Sequence, residues 1–143
     1  MTDSTVAGDS ADLREAFPAV DPGAIPLGAR VLVQLRRTKK TVTSAGIILV
    51  SETKETEKWQ NMVAKVISLG PLAFKKRDTM ESWVEGTWCE VGDFIRVPKW
   101  GGDRWEVDVP GQPDEDPALF AVFNDHEMIA KVTGDPLTMR AYL

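Results

Sequence analysis

Few side chains in this sequence could make or break bonds. It holds one histidine, His126, and one cysteine, Cys89. A lone imidazole cannot build a histidine metal cluster, and any Ser–His or Cys–His pair would have to use His126 itself. His126 stands in Asn124-Asp125-His126-Glu127, which reads as a turn and makes a poor setting for a general base. Cys89 follows Trp88 in an apolar-leaning stretch and reads as a buried, inert thiol. Lys99-Trp100-Gly101-Gly102-Asp103 has two glycines but no helical pattern after them, so it is not a phosphate loop. Trp59, Trp100 and Trp105 could stack on bases or sugars. A net charge of −5 favours packing in a core or between subunits instead, because nucleic-acid binding needs basic surface. These residues point away from catalysis, a metal or a cofactor.

A different chemistry is offered by Ser44-Ala45-Gly46-Ile47-Ile48-Leu49-Val50. Its aliphatic core lies within residues 38–58, which are mostly Thr, Ser, Lys and Glu and cannot build a core of their own. One reading is a buried strand. The polar flanks argue for an apolar hook on a long loop, made to enter a partner's groove, with Gly46, Ile47, Ile48 and Leu49 as the contact residues. Burying three large aliphatics yields roughly 5–9 kcal/mol. Ordering the loop costs on the order of 1–2 kcal/mol per residue and consumes most of that gain. One hook therefore binds weakly, while several displayed together bind well through effective concentration.

The elements that must carry such a loop are strands. Val31, Val33 and Leu35 alternate through Arg30-Val31-Leu32-Val33-Gln34-Leu35-Arg36. In residues 61–69, Val63, Ile67 and Leu69 share one expected face and Met62, Ala64 and Val66 the other. Val91-Gly92-Asp93 reads as a turn feeding Phe94-Ile95-Arg96-Val97, and Arg104-Trp105-Glu106-Val107-Asp108-Val109 alternates charged with apolar. Apolar stretches at residues 118–123 and 127–132 close the pattern. Six or so short strands with no long helix predict an all-β fold, a small barrel or sandwich.

Two connections, residues 37–59 and 70–90, exceed what a small barrel needs and are where function is expected. Residues 1–24 are rich in Asp, Ser, Ala and Pro and read as a flexible extension, with a weak helical hint near Asp12. Arg36, Arg37, Lys39 and Lys40, like Lys75-Lys76-Arg77, read as solvated loop surface. No apolar run approaches the ~20 residues that span a bilayer. With one cysteine and no signal-peptide pattern, the expected location is a reducing cytoplasm.

Along residues 25–132 the sequence resembles the GroES-like co-chaperonin (chaperonin-10) family. Ile25-Pro26-Leu27 followed by Arg30-Val31-Leu32-Val33 resembles the opening strand, and Ser44-Ala45-Gly46-Ile47-Ile48-Leu49 the mobile loop. Val63-Ala64-Lys65-Val66-Ile67-Ser68-Leu69-Gly70, Val91-Gly92-Asp93-Phe94-Ile95 and residues 120–129 are similar to the segments that follow. The resemblance implies a small β-barrel at 25–133 with a mobile loop at 38–58, a roof β-hairpin at 70–90 and a tail at 134–143. It further implies a heptameric cap on a chaperonin ring that encloses an unfolded substrate protein, with ATP bound and hydrolysed by the chaperonin. Gly46, Ile47, Ile48 and Leu49 would dock on that partner.

This sequence departs from the family in three ways. Its loop carries one glycine where two are usual, its roof segment is longer and more aromatic (Phe74, Trp83, Trp88), and both termini are extended. Such elaboration resembles a virus-encoded member. Two other classes compete. A GroES-like domain of a zinc alcohol dehydrogenase needs a nucleotide-binding domain and metal ligands that the chain lacks. A virion structural or nucleic-acid-binding barrel would not require the polar loop with its aliphatic hook.

Overall fold

A computed structural model describes residues 11–37, 62–111 and 116–139 of the 143-residue chain. The described residues form one antiparallel six-stranded sheet and one short helix, α1, Ala11–Ala16. The strands are β1 Arg30–Leu35, β2 Val63–Leu69, β3 Phe94–Arg96, β4 Asp103–Val107, β5 Ala118–Asn124 and β6 Ala130–Lys131. Their order is β4-β5-β1-β2-β3-β6. The all-β expectation holds.

Two short connections force the sheet to roll. Residues 97–102 join β3 to β4, and residues 125–129 join β5 to β6. Each pair stands four places apart in the order, which in a flat sheet is about 19 Å at ~4.8 Å per strand. The second connection contains a 3-10 turn, Asp125–Glu127. At ~2 Å per residue such a turn cannot reach that far, so the ends of the sheet curl toward each other. The result is barrel-like. Val31, Val33 and Leu35 of β1 meet Val66, Ile95 and Phe123 in the enclosed core.

β1 and β5 are buried on both faces, which explains their near-continuous apolar runs. Leu32 and Phe120 point away from the enclosed core, into a second cluster on the outer face with Val20 and Trp105. In β2 the period-two expectation fails at one place. Leu32 pairs with Ser68 but Val33 with Val66, so Ile67 is an extra residue in a bulge. The bulge reverses the alternation: Leu69 joins Val66 on the enclosed face while Ile67 faces outward.

Glycine is required at two closures. A Cβ on Gly70 would lie 2.3 Å from the Gly28 carbonyl oxygen, and the Gly70 N–H donates to Arg30 O at 2.8 Å. Gly102 has φ +72, and its Cβ would lie 2.6 Å from Phe123 Cε1. Arg104 then lies over the Phe123 ring and donates to the carbonyls of Gly101, Pro98 and Lys99.

Residues 11–24 differ from the flexible extension expected. Leu13, Ala16 and Phe17 are buried and form a cluster with Val63, Phe94, Leu137 and Met139. Residues 18–22 then cross the outer face. Pro18 O accepts from the buried Gln34 Nε2 (2.8 Å), and Pro22 O accepts from Trp105 Nε1 (2.8 Å). The physical reason is the two-sided burial of β1: its outer face is apolar and needs a cover. Part of the expected tail is packed too, since Leu137 and Met139 lie against the same cluster.

The 70–90 segment is a minimal hairpin. Lys75 and Ser82 form a single bridge, reinforced by Lys76 N–H to Glu81 O (2.7 Å) and Trp83 N–H to Phe74 O (3.0 Å). Its aromatics turn inward: Phe74 is buried in the core, Trp83 meets it edge-on at 5.4 Å, and Trp88 lies 4.8 Å from Trp83. Phe74 has φ +62, an uncommon conformation for a bulky residue. It is held there by the carboxylate of buried Asp125, whose Oδ2 accepts the Phe74 N–H at 2.8 Å.

Candidate functional site at the root of the β1–β2 connection

Gly46, Ile47, Ile48 and Leu49, the contact residues expected from the sequence, lie outside the described residues, as does the whole of 38–61. What the structure places is the root from which that segment leaves and to which it returns. β1 and β2 pair antiparallel up to Leu35 opposite Ala64, and Arg36 N–H donates to Val63 O at 2.9 Å. On the return side Met62 O accepts the Val97 N–H at 2.8 Å. The two ends of the connection thus sit side by side on one end of the sheet.

Both arginines at this root are half-buried and turned into the protein, unlike the solvated surface expected for them. Arg37 N–H donates to Ala16 O (2.8 Å), its Nε to Glu15 O (2.9 Å) and its Nη1 to Asp116 O (2.7 Å). Glu15 and Ala16 are the last residues of α1, whose terminal carbonyls lack partners within the helix. Arg37 supplies them, and its cation opposes the negative end of the helix dipole. Arg36 Nη1 donates to the carbonyls of Pro136 (2.8 Å) and Met139.

The remaining candidates from the sequence scatter. His126 is exposed in the 3-10 turn, with Nδ1 3.6 Å from Oδ1 of the buried Asp125. Cys89 is buried in the core, and its thiol is pushed up to about 11, first by burial and then by the Asp93 charge. Lys131 opposes that effect and lies 3.4 Å from Asp93 Oδ2. Trp100 is exposed and Trp105 covers the outer face. Lys75, Lys76 and Arg77 border a cavity of about 270 Å³ beside Trp83 and His126. No nucleophile, base and oxyanion donor converge among the described residues. No group of three His, Cys, Asp or Glu side chains there is placed to hold a metal.

Sequence reasoning did not pick out Gln34, Arg36, Arg37 or Asp125 as structural anchors. A faint signal existed for each. Gln34 is a lone amide inside an apolar strand, Arg36 and Arg37 directly follow one, and Asp125 begins a turn.

Comparison with known proteins gives one positive result. The family described as the chaperonin 10 kDa subunit matches residues 24–132, well over half of the chain. No curated protein matches. The matched span includes both strands flanking residues 38–61 and leaves out α1 and the 135–139 segment.

Proposed function

The chain belongs to the chaperonin 10 kDa subunit family, and from that premise we propose that it is a co-chaperonin that caps a chaperonin ring. Copies of the chain, seven in the reading favoured here, assemble into a dome. Each presents residues 38–58 as a docking loop, with Gly46, Ile47, Ile48 and Leu49 entering an apolar groove on the chaperonin. The cap encloses an unfolded substrate protein, and ATP is bound and hydrolysed by the chaperonin. The protein acts in the cytoplasm and is not itself an enzyme. Residues 70–90 take the roof position, and 25–133 form the capping unit.

The observation that carries this reading is the family match across 24–132, a span that takes in β1, the connection and β2. The paired root is consistent with it, because a hook must leave and re-enter the barrel at one point to be displayed. Weak single hooks summed over a ring give binding that is tight yet reversible.

An ATP-dependent pull-down of a chaperonin tests the proposal. Ile48→Asp is expected to abolish capture while ring assembly and melting temperature stay unchanged. Unfolding of the variant would mean that the aliphatic run is core. Native mass spectrometry supplies the second test, since monomers or dimers in place of seven-fold rings contradict the cap.

A further inference from the structure

The segments outside the family match are built onto the root of the docking connection. Residues 11–18 and 135–139 meet in one cluster, with Phe17 5.2 Å from the Phe94 ring and Leu137 and Met139 against the same group. From that cluster, carbonyls of Glu15 and Ala16 accept from Arg37, and carbonyls of Pro136 and Met139 accept from Arg36. Two consecutive residues, the last described before position 38, are thus held by two chain segments that are far apart in sequence. The dependence runs both ways. A six-residue helix is too short to persist alone and relies on its packing and on the Arg37 cap. In turn, the direction in which the chain leaves β1 is fixed by the carbonyls that hold Arg37.

We infer that residues 11–18 and 135–139 form a collar that sets the exit direction of the docking loop, with Arg36 and Arg37 as positioning residues for chaperonin docking. This rests on the docking role proposed above for residues 38–58. A hook on a fixed root loses less freedom on binding than one on a free root, so the collar raises affinity without touching the partner. Because every copy carries the same collar, the docking connections of an assembly all start out in the same direction, which favours multivalent engagement.

The test uses the full-length protein with Arg37→Met and Arg37→Lys. Met keeps the stem and loses every side-chain donor, whereas Lys keeps the charge but not the planar fork. Hydrogen exchange at the Phe17 and Arg37 amides, which donate to Leu13 O and Ala16 O, reads the collar directly. ATP-dependent chaperonin affinity reads its consequence. Both variants are expected to exchange faster at those amides and to dock about 5- to 20-fold more weakly, as for re-ordering roughly one freed residue at the root on docking. Ring assembly should be unchanged. Wild-type docking by variants whose collar amides are exposed overturns the inference. So does wild-type docking by Arg37→Lys alone, because charge and not the clamp would then be responsible. Ile48→Asp run in parallel separates the two proposals. If it docks normally, the hook reading fails and the collar's role in docking fails with it. If it fails to dock while both Arg37 variants dock normally, only the collar is wrong.

Discussion

The two faces of β1 are closed by different parts of the chain. On the enclosed face, Val31, Val33 and Leu35 are covered by other strands and by Phe74 and Cys89, all within the residues that match the family. On the outer face, Leu32 packs with Phe120 and Trp105 and with Val20, and Gln34 is held by Pro18 O; Val20 and Pro18 lie outside that match. The enclosed core is deep and ringed on all sides, whereas the outer cover is one layer of chain held by a few side chains and carbonyl acceptors. The same strand thus sees a rigid environment on one side and a removable one on the other. Family membership accounts for the first and for part of the second, which this chain's own extension completes.

Substitutions of matched type on each side sharpen that contrast. Phe123→Ala opens a cavity in the enclosed core and is expected to cost about 3–5 kcal/mol by chemical denaturation. Gly102→Ala comes next. It adds a left-handed penalty of ~1–2 kcal/mol to a contact that must push the Phe123 ring aside, for about 2–4 in all. Phe17→Ala should lose only the transfer part, about 1.5–3 kcal/mol, because its cluster is small and the terminal segments that close it can move in. A cost equal to that of Phe123→Ala would break the distinction between the faces. Trp105→Phe keeps most of the apolar cover and removes the bond to Pro22 O, for about 0.5–1.5 kcal/mol.

A further effect appears only in alkali. The Cys89 thiol is raised from 9.0 to about 11 in the folded protein, first by burial. The unfolded chain therefore loses this proton before the folded one does. Its contribution is fully present below pH 9 and declines as pH rises from 9 toward 11. Cys89→Ala should flatten that decline in a pH series of denaturation midpoints and leave the slope near pH 7 unaltered.

Much of the barrel was legible in the sequence because its signals are local. The alternation in residues 30–35 and 104–109 and the continuous run at 118–123 each mark a strand by side-chain pattern alone. Local signals also placed Cys89 in the interior. Features that depend on distant partners were not legible. The bulge at Ile67 flips Leu69 to the enclosed face, and nothing in residues 61–69 announces it. Residues 11–24 look disordered by composition, yet they order because β1 offers them an apolar outer face and Arg37 caps their helix. Arg36 and Arg37 look like surface until the carbonyls they serve are known. At the candidate site, the sequence supplied the hook residues and the structure supplied the root that would hold them.

The strand order has one more consequence, for the time course of folding. β1 lies between β2 and β5, so Leu35 pairs with Leu119 and Arg30 with Asn124. Roughly ninety residues of chain must be looped back before that pairing can form, and topologies dominated by such distant contacts fold in about milliseconds to seconds, not microseconds. During synthesis, β1 can find β2 early but stays open along its other edge until the last strands emerge. A chain stalled before residue 118 presents that unpaired edge, a condition under which nascent β-proteins aggregate.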